Sequence, residues 1–162
     1  MTFRARLSLC FSSAVLALMA FGCSAPGVGD PCDPESVPEG GFESSEAYLE
    51  TSSVQCRTRV CMVYHLAGDT RKVTGTDSCD ETTDTDCVNG NSDCDDGDTV
   101  SSNCVTGRVY CTCRCDAPKG SSTTTCECPD GYSCEEVVAT NAAGDGVRGS
   151  YCVKKKTVDT EE

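Results

Sequence analysis

The cysteines constrain the fold of this chain more than any other residue type, because there are sixteen of them in 162 residues. Two of them belong to an apolar N-terminal segment, with Cys10 inside it and Cys23 at its end. The even number that remains allows complete pairing into seven disulfides, which is typical of an exported domain in an oxidising compartment. The fourteen candidate disulfide cysteines are Cys32, Cys56, Cys61, Cys79, Cys87, Cys94, Cys104, Cys111, Cys113, Cys115, Cys126, Cys128, Cys134 and Cys152.

Residues 1–22 are interpreted as an export signal peptide. Arg4 and Arg6 give a positive start, residues 7–21 are uncharged and mostly apolar, and the small residue Gly22 precedes Cys23. The apolar run of fifteen residues is shorter than the roughly 20 that a membrane-spanning helix needs. We therefore expect export and cleavage instead of a retained transmembrane anchor.

The segment from Ala20 to Cys23 resembles a lipobox, where a signal peptide is cleaved before a cysteine that receives a diacylglycerol. The resemblance implies lipid attachment at Cys23 and contact with the membrane through an N-terminal acyl anchor. With Ser24 in the next position, it also implies the outer membrane of the cell envelope. Cleavage without lipid is the alternative, and it predicts a secreted protein with fifteen cysteines, one of them unpaired.

Charge and composition restrict both the partners and the fold class. Cleavage before Cys23 leaves 140 residues and, with Arg4 and Arg6 gone, changes the formal net charge from −13 to −15. So acidic a surface repels nucleic acid and anionic lipid headgroups, and neither is expected as a partner. Large apolar side chains are few and Trp is absent, so disulfides are expected to substitute for a large core. We predict a small, disulfide-rich fold of short β-strands and long irregular loops, with little helix outside the signal peptide.

The chain is divided into a lead, one domain and a tail. Residues 23–41 are rich in Pro, Gly and acids and are predicted to be the lipid attachment site and a flexible lead, which Cys32 ties to the body. Residues 42–157 are predicted to form a single disulfide-rich domain, and residues 158–162 a disordered tail.

Two segments of the domain have the composition or alternation of β-strands. Residues 60–66 are rich in β-formers, and the alternation places Met62, Tyr64 and Leu66 on one face. Residues 108–115 alternate as one strand, with three cysteines on one face. Cysteines two apart on a strand point the same way but lie too far apart to pair, so each of the three is expected to bond a different partner. A turn is predicted at 129–131 and a short last strand at 150–153.

The acidic stretch is a candidate calcium site, because carboxylates at alternate positions near a glycine bend suit a hard cation. Residues 86–92 and 93–99 form a seven-residue repeat. An EF-hand register does not fit, since counting from Asp93 puts Gly97 at position five and Cys104 at position twelve. A solvated acidic loop pinned by cysteines is the other interpretation. The candidate ligands are Asp84, Asp86, Asp93, Asp95, Asp96 and Asp98.

Other chemistry has weaker support in the sequence. No C-x-x-C pair occurs, and an exported chain meets oxidant first, so we expect neither a thiolate metal site nor a redox centre. His65 is the one histidine, and none of the usual hydrolase, phosphate-binding or dinucleotide-binding motifs occurs. We therefore predict no enzyme and no cofactor, with calcium as the exception to test.

Two resemblances complete the prediction. Residues 126–132 resemble the C-x-C-x-x-G-[FY] end of EGF-like modules, although Cys134 follows too soon and Cys152 too late for that family. The lipobox-like segment, residues 28–32, 93–98 and 149–153 together resemble bacterial cysteine-rich lipoproteins. This second resemblance implies a location and an architecture. We predict a non-enzymatic, envelope-anchored recognition or structural module with an unknown protein or glycan partner; the alternative is a calcium-dependent binding module.

Overall fold

The computed structural model describes residues 27–90, 103–138 and 146–155. Within them the chain forms eight short strands in three small sheets and no helix, so the predicted fold class is confirmed. Long irregular connections join the strands, as expected for a disulfide-rich domain. The strands are β1 (Ala47–Glu50), β2 (Val60–Tyr64), β3 (Asp69–Val73), β4 (Cys87–Val88), β5 (Val109–Thr112), β6 (Arg114–Asp116), β7 (Tyr132–Val138) and β8 (Gly149–Lys154).

The central sheet has the antiparallel order β1-β2-β5 and is covered on both faces. One face contributes Val63 and Val109 to a cluster with Leu66 and Val88. The other face contributes Met62 and Tyr110 to a second cluster with Val153. A strand covered on both faces buries successive residues, which is why every residue of β5 is buried.

The second sheet has the antiparallel order β6-β8-β7 and packs against the central one. Thr112 Oγ1 donates a 2.7 Å hydrogen bond to the carbonyl of Cys152, and Cys152 N donates a 3.1 Å bond to the carbonyl of Cys113. The prediction of one strand over residues 108–115 is therefore wrong. The chain leaves the central sheet after Thr112, crosses at Cys113 and enters the second sheet at Arg114.

The strand predicted over residues 60–66 ends earlier than expected. Regular structure stops at Tyr64, and the next residue, His65, has φ of 54°. Met62 and Tyr64 share a face as predicted, but Leu66 packs in the cluster on the opposite face. The left-handed residue interrupts the alternation, so the position of Leu66 cannot be obtained by counting in twos.

The lead is fixed to the central sheet over its described part, residues 27–41. Gly29 N donates to the carbonyl of Cys111, and Cys111 N donates to the carbonyl of Asp30, both at 2.8 Å. A disulfide between Cys32 and Cys61 adds a covalent tie, which confirms the predicted role of Cys32. The start of the lead and Cys23 lie outside the described residues.

The parallel pair β3-β4 was not predicted, because it lies in the polar stretch after residue 66. The turn predicted at 129–131 and the last strand predicted at 150–153, by contrast, both occur, the strand as β8. Tyr132 N donates a 3.1 Å bond to the carbonyl of Pro129, and Gly131 has φ of 85°, a conformation that glycine adopts without steric cost. The residues from 156 onward, which include the predicted tail, lie outside the described residues.

Candidate functional site

Disulfides connect the elements of the fold. Of the fourteen candidate cysteines, thirteen are disulfide-bonded, Cys104 among them, and Cys94 lies outside the described residues. The three cysteines of residues 111–115 each bond a different partner, as the alternation predicts. Six described bridges join Cys32 to Cys61, Cys56 to Cys111, Cys79 to Cys87, Cys113 to Cys126, Cys115 to Cys134 and Cys128 to Cys152.

Three of these bridges form a stack in the second sheet, with Cys128–Cys152 in the middle. On one side, Cys152 Sγ lies 3.7 Å from Cys113 Sγ and 3.8 Å from Cys126 Sγ. On the other side, Cys128 Sγ lies within 4.8 Å of the sulfurs of Cys115 and Cys134. These sulfurs are close enough together for a metal, but each is bonded to another sulfur, and only the thiolate is a strong metal ligand.

The described part of the acidic stretch already holds a cation of the chain itself. Lys72 Nζ lies 2.9 Å from Asp86 Oδ1 and 3.3 Å from Asp84 Oδ1. These carboxylates raise the pKa of Lys72 above its ordinary value, mainly through the hydrogen bond to Asp86. Two of the six candidate calcium ligands therefore converge on one ammonium group. The other four, Asp93, Asp95, Asp96 and Asp98, lie outside the described residues.

A neighbouring carboxylate is engaged in the same way. The side chain of Asp69 is 5 % exposed and accepts hydrogen bonds from Arg71 Nε at 2.9 Å and Arg71 Nη2 at 2.8 Å. The hydrogen bond from the Arg71 guanidinium is the main cause of a lowered pKa for Asp69. Because Asp69 begins β3, the pair stabilises the start of a strand that few apolar side chains support.

His65 has a structural environment. Its ring stacks on the ring of Tyr64, with centroids 4.1 Å apart and planes 10° apart. Its main chain is fixed on both sides, because its N–H donates to the carbonyl of Glu46 at 3.0 Å and its carbonyl accepts from Arg108 Nη1 at 2.9 Å. None of these contacts pairs the imidazole with an acid or a nucleophile.

A cleft of about 360 Å³, here called the Arg114 cleft, is the feature that sequence analysis missed. Arg114 is 7 % exposed, and its guanidinium donates to the Tyr151 hydroxyl at 3.0 Å and to Thr123 Oγ1 at 3.1 Å. It also donates to the carbonyl of Gly146 and lies 5.5 Å from the centre of the Tyr151 ring. The lining residues are Thr51, Thr58, Val60, Cys113, Arg114, Thr123, Thr124, Thr125, Cys126, Gly146 and Tyr151.

Comparisons with known proteins do not add a family. No protein-family model matches the chain, and neither the curated proteins nor the solved structures give a match. The described residues also contain no helix that is long and apolar enough to cross a membrane.

Proposed function

We propose that this chain is a non-enzymatic, envelope-anchored lipoprotein whose disulfide-stabilised domain acts as a surface recognition or structural module. The observation that carries the proposal is the set of six bridges, which tie the lead to the central sheet, close the loop before β4 and link the strands of the second sheet with the segment between β6 and β7. Such a set of bridges forms and persists in an oxidising compartment, and it keeps a domain with a thin core folded outside the cytoplasm.

The location and the anchor in this proposal depend on the N-terminal sequence. Cys23 carries the lipid, Ser24 directs the protein to the outer membrane, and the acyl chains supply the contact with the membrane. The alternative is a secreted protein without lipid. The net charge of −15 after cleavage favours a protein or glycan partner over nucleic acid.

The intact mass of the protein tests this proposal. We expect envelope-purified protein, alkylated without reduction, to give the mass of an acylated chain that starts at Cys23 and carries no alkyl group. The matched control is Cys23→Ser, which should leave the membrane fraction while keeping its bridges closed. An unacylated native chain would refute the lipid anchor. Uptake of several alkyl groups would refute the complete pairing of the fourteen cysteines.

Calcium dependence is the alternative function, and it has a separate test. We expect thermal unfolding to have the same midpoint in millimolar calcium and in chelator, because Asp84 and Asp86 already bind the ammonium group of Lys72. A calcium-induced rise in the midpoint that the double substitution Asp95→Ala, Asp96→Ala abolishes would support the calcium-dependent module instead.

A further inference from the structure

The Arg114 cleft contains a positive charge that no described residue neutralises. Each hydrogen bond of the guanidinium goes to a neutral oxygen, on Tyr151, Thr123 or Gly146. No carboxylate of the described residues forms an ion pair or a hydrogen bond with Arg114. Burying an arginine without an anion is costly, so a negative ligand in this cleft would gain a large electrostatic interaction.

A second, independent feature lies in the wall of the same cleft. The hydroxyl of Thr58 is buried and makes no hydrogen bond. A buried hydroxyl without a partner is unusual in a folded protein, because it loses its bonds to water and gains nothing in return. This oxygen is closed to solvent, so a ligand with hydrogen-bonding groups supplies the missing partner once the Thr58 side chain turns toward the cleft.

The frame around the cleft holds these groups in place. Arg114 begins β6 and follows Cys113, whose bridge to Cys126 forms part of the lining. Tyr151 lies in β8 and is fixed from its other side, because its hydroxyl donates a 2.8 Å bond to the carbonyl of Val147. A guanidinium held by such contacts loses little conformational freedom when it binds an anion, which favours affinity.

We propose that the Arg114 cleft binds a sugar acid, with the carboxylate on Arg114 and the sugar hydroxyls on the surrounding threonines. Five threonines line the cleft, and a hydroxyl can both donate to and accept from a sugar hydroxyl. The bonds to Tyr151, Thr123 and Gly146 leave one N–H of Arg114 Nη1 for the carboxylate, and such a charge-assisted hydrogen bond is strong. This inference rests on the proposed recognition function and names the class of its ligand, but binding in the cleft requires no lipid anchor.

The test is a titration of isotope-labelled, anchor-bearing protein in detergent with glucuronate, followed by the NMR shifts of backbone amides. We expect saturable shifts for the amides of Thr58 and Thr123, and none with the uncharged methyl ester of glucuronate. Arg114→Gln should weaken binding about tenfold or more, since hydrogen bonds to charged groups are the strong ones. Binding of glucuronate that is unchanged in Arg114→Gln would overturn the proposal.

A matched pair of threonine variants keeps the test decisive if Arg114→Gln does not fold. Thr58→Val should weaken glucuronate binding about fivefold, the effect of one ordinary hydrogen bond. Thr70 is the control, because its hydroxyl is also buried and unbonded but lies in β3 outside the cleft. Equal affinities of Thr58→Val and Thr70→Val would refute the site.

Other anions distinguish this proposal from its competitors. N-acetyl-dialanine offers the carboxylate of a peptide end, and sulfate offers an anion without a sugar. Shifts at the cleft with either of these, and none with glucuronate, would overturn the assignment to a sugar acid. None of these outcomes alters the mass of the acylated chain, so failure here and failure of the proposed anchor are distinguishable.

Discussion

Replacing both Cys56 and Cys111 by alanine is expected to lower the free energy of unfolding by about 4 kcal/mol or more, the most of any described bridge. The two cysteines lie 55 residues apart in sequence, the longest separation among the six. In the chain-entropy account, a bridge stabilises by restricting the unfolded chain, and it does so more strongly when the loop is longer.

The position of this bridge adds to the expected loss. Cys56 and Cys111 are 1 % and 0 % exposed and pack in the cluster that contains Val63 and Val109. Removing two buried sulfurs leaves space that the surrounding side chains fill only in part, which is a further cost. Urea-induced unfolding, followed by the far-ultraviolet circular dichroism of the full mature chain, measures the change.

The matched control is the double substitution Cys79→Ala, Cys87→Ala. This bridge spans 8 residues and lies beside the short β3-β4 pair, so its loss should cost about 2.5 kcal/mol by the same chain-entropy account. A loss at Cys79–Cys87 equal to or larger than that at Cys56–Cys111 would contradict the account. The bridges would then stabilise mainly through their contacts in the folded state.

The sequence predicts some parts of this fold well, because their signals are local. The spacing of Cys111, Cys113 and Cys115 indicates three different partners, since the geometry of a strand forbids direct bonds between them. The turn before Tyr132 depends on a Pro-Asp-Gly order that has its own conformational preference. Both features follow from a few consecutive residues and require no knowledge of the remainder of the chain.

Other features depend on distant residues, and the sequence does not indicate them. Strand β3 has no alternation of its own and forms through pairing with β4, which the Cys79–Cys87 bridge holds in place. Arg114 lies between two cysteines on what the alternation makes an outward face. It is buried because β8, Thr123 from the connection between β6 and β7, and Gly146 from the connection before β8 cover it. Burial by tertiary contacts leaves no local pattern, so the Arg114 cleft could not be predicted.

Tyr110→Ala is expected to cost about 3–5 kcal/mol of stability, the loss typical of a large buried ring. Tyr110 is 2 % exposed and lies on the face of the central sheet that meets the second sheet. Its ring contacts the ring of Tyr132 edge-on at 5.7 Å, and its hydroxyl accepts a 3.1 Å bond from Lys154 N. The substitution therefore removes both packing and a hydrogen bond from the contact between the two sheets.

Two variants separate these contributions. Tyr110→Phe keeps the ring and should cost about 1 kcal/mol, because only the acceptor for Lys154 N is lost. Tyr48→Ala removes a half-buried ring from the opposite face of the central sheet and should cost less than Tyr110→Ala. Chemical denaturation of the three variants at neutral pH measures their stabilities. A larger loss of stability for Tyr48→Ala than for Tyr110→Ala would show that the main core lies on the face of the central sheet that carries Tyr48.

The pH dependence gives an independent test of the same residue. Burial is the main cause of a pKa for Tyr110 well above the ordinary value of 10.0. A raised pKa in the folded state means that the neutral phenol is favoured there. The contribution of the neutral Tyr110 phenol to the free energy of unfolding is therefore complete below pH 10 and is lost as the pH rises above that value. The wild-type protein should thus lose stability on the alkaline side more steeply than Tyr110→Phe, in which this ionisation is absent. Parallel stability curves for the two proteins would show that the Tyr110 hydroxyl is not held in a buried environment in solution.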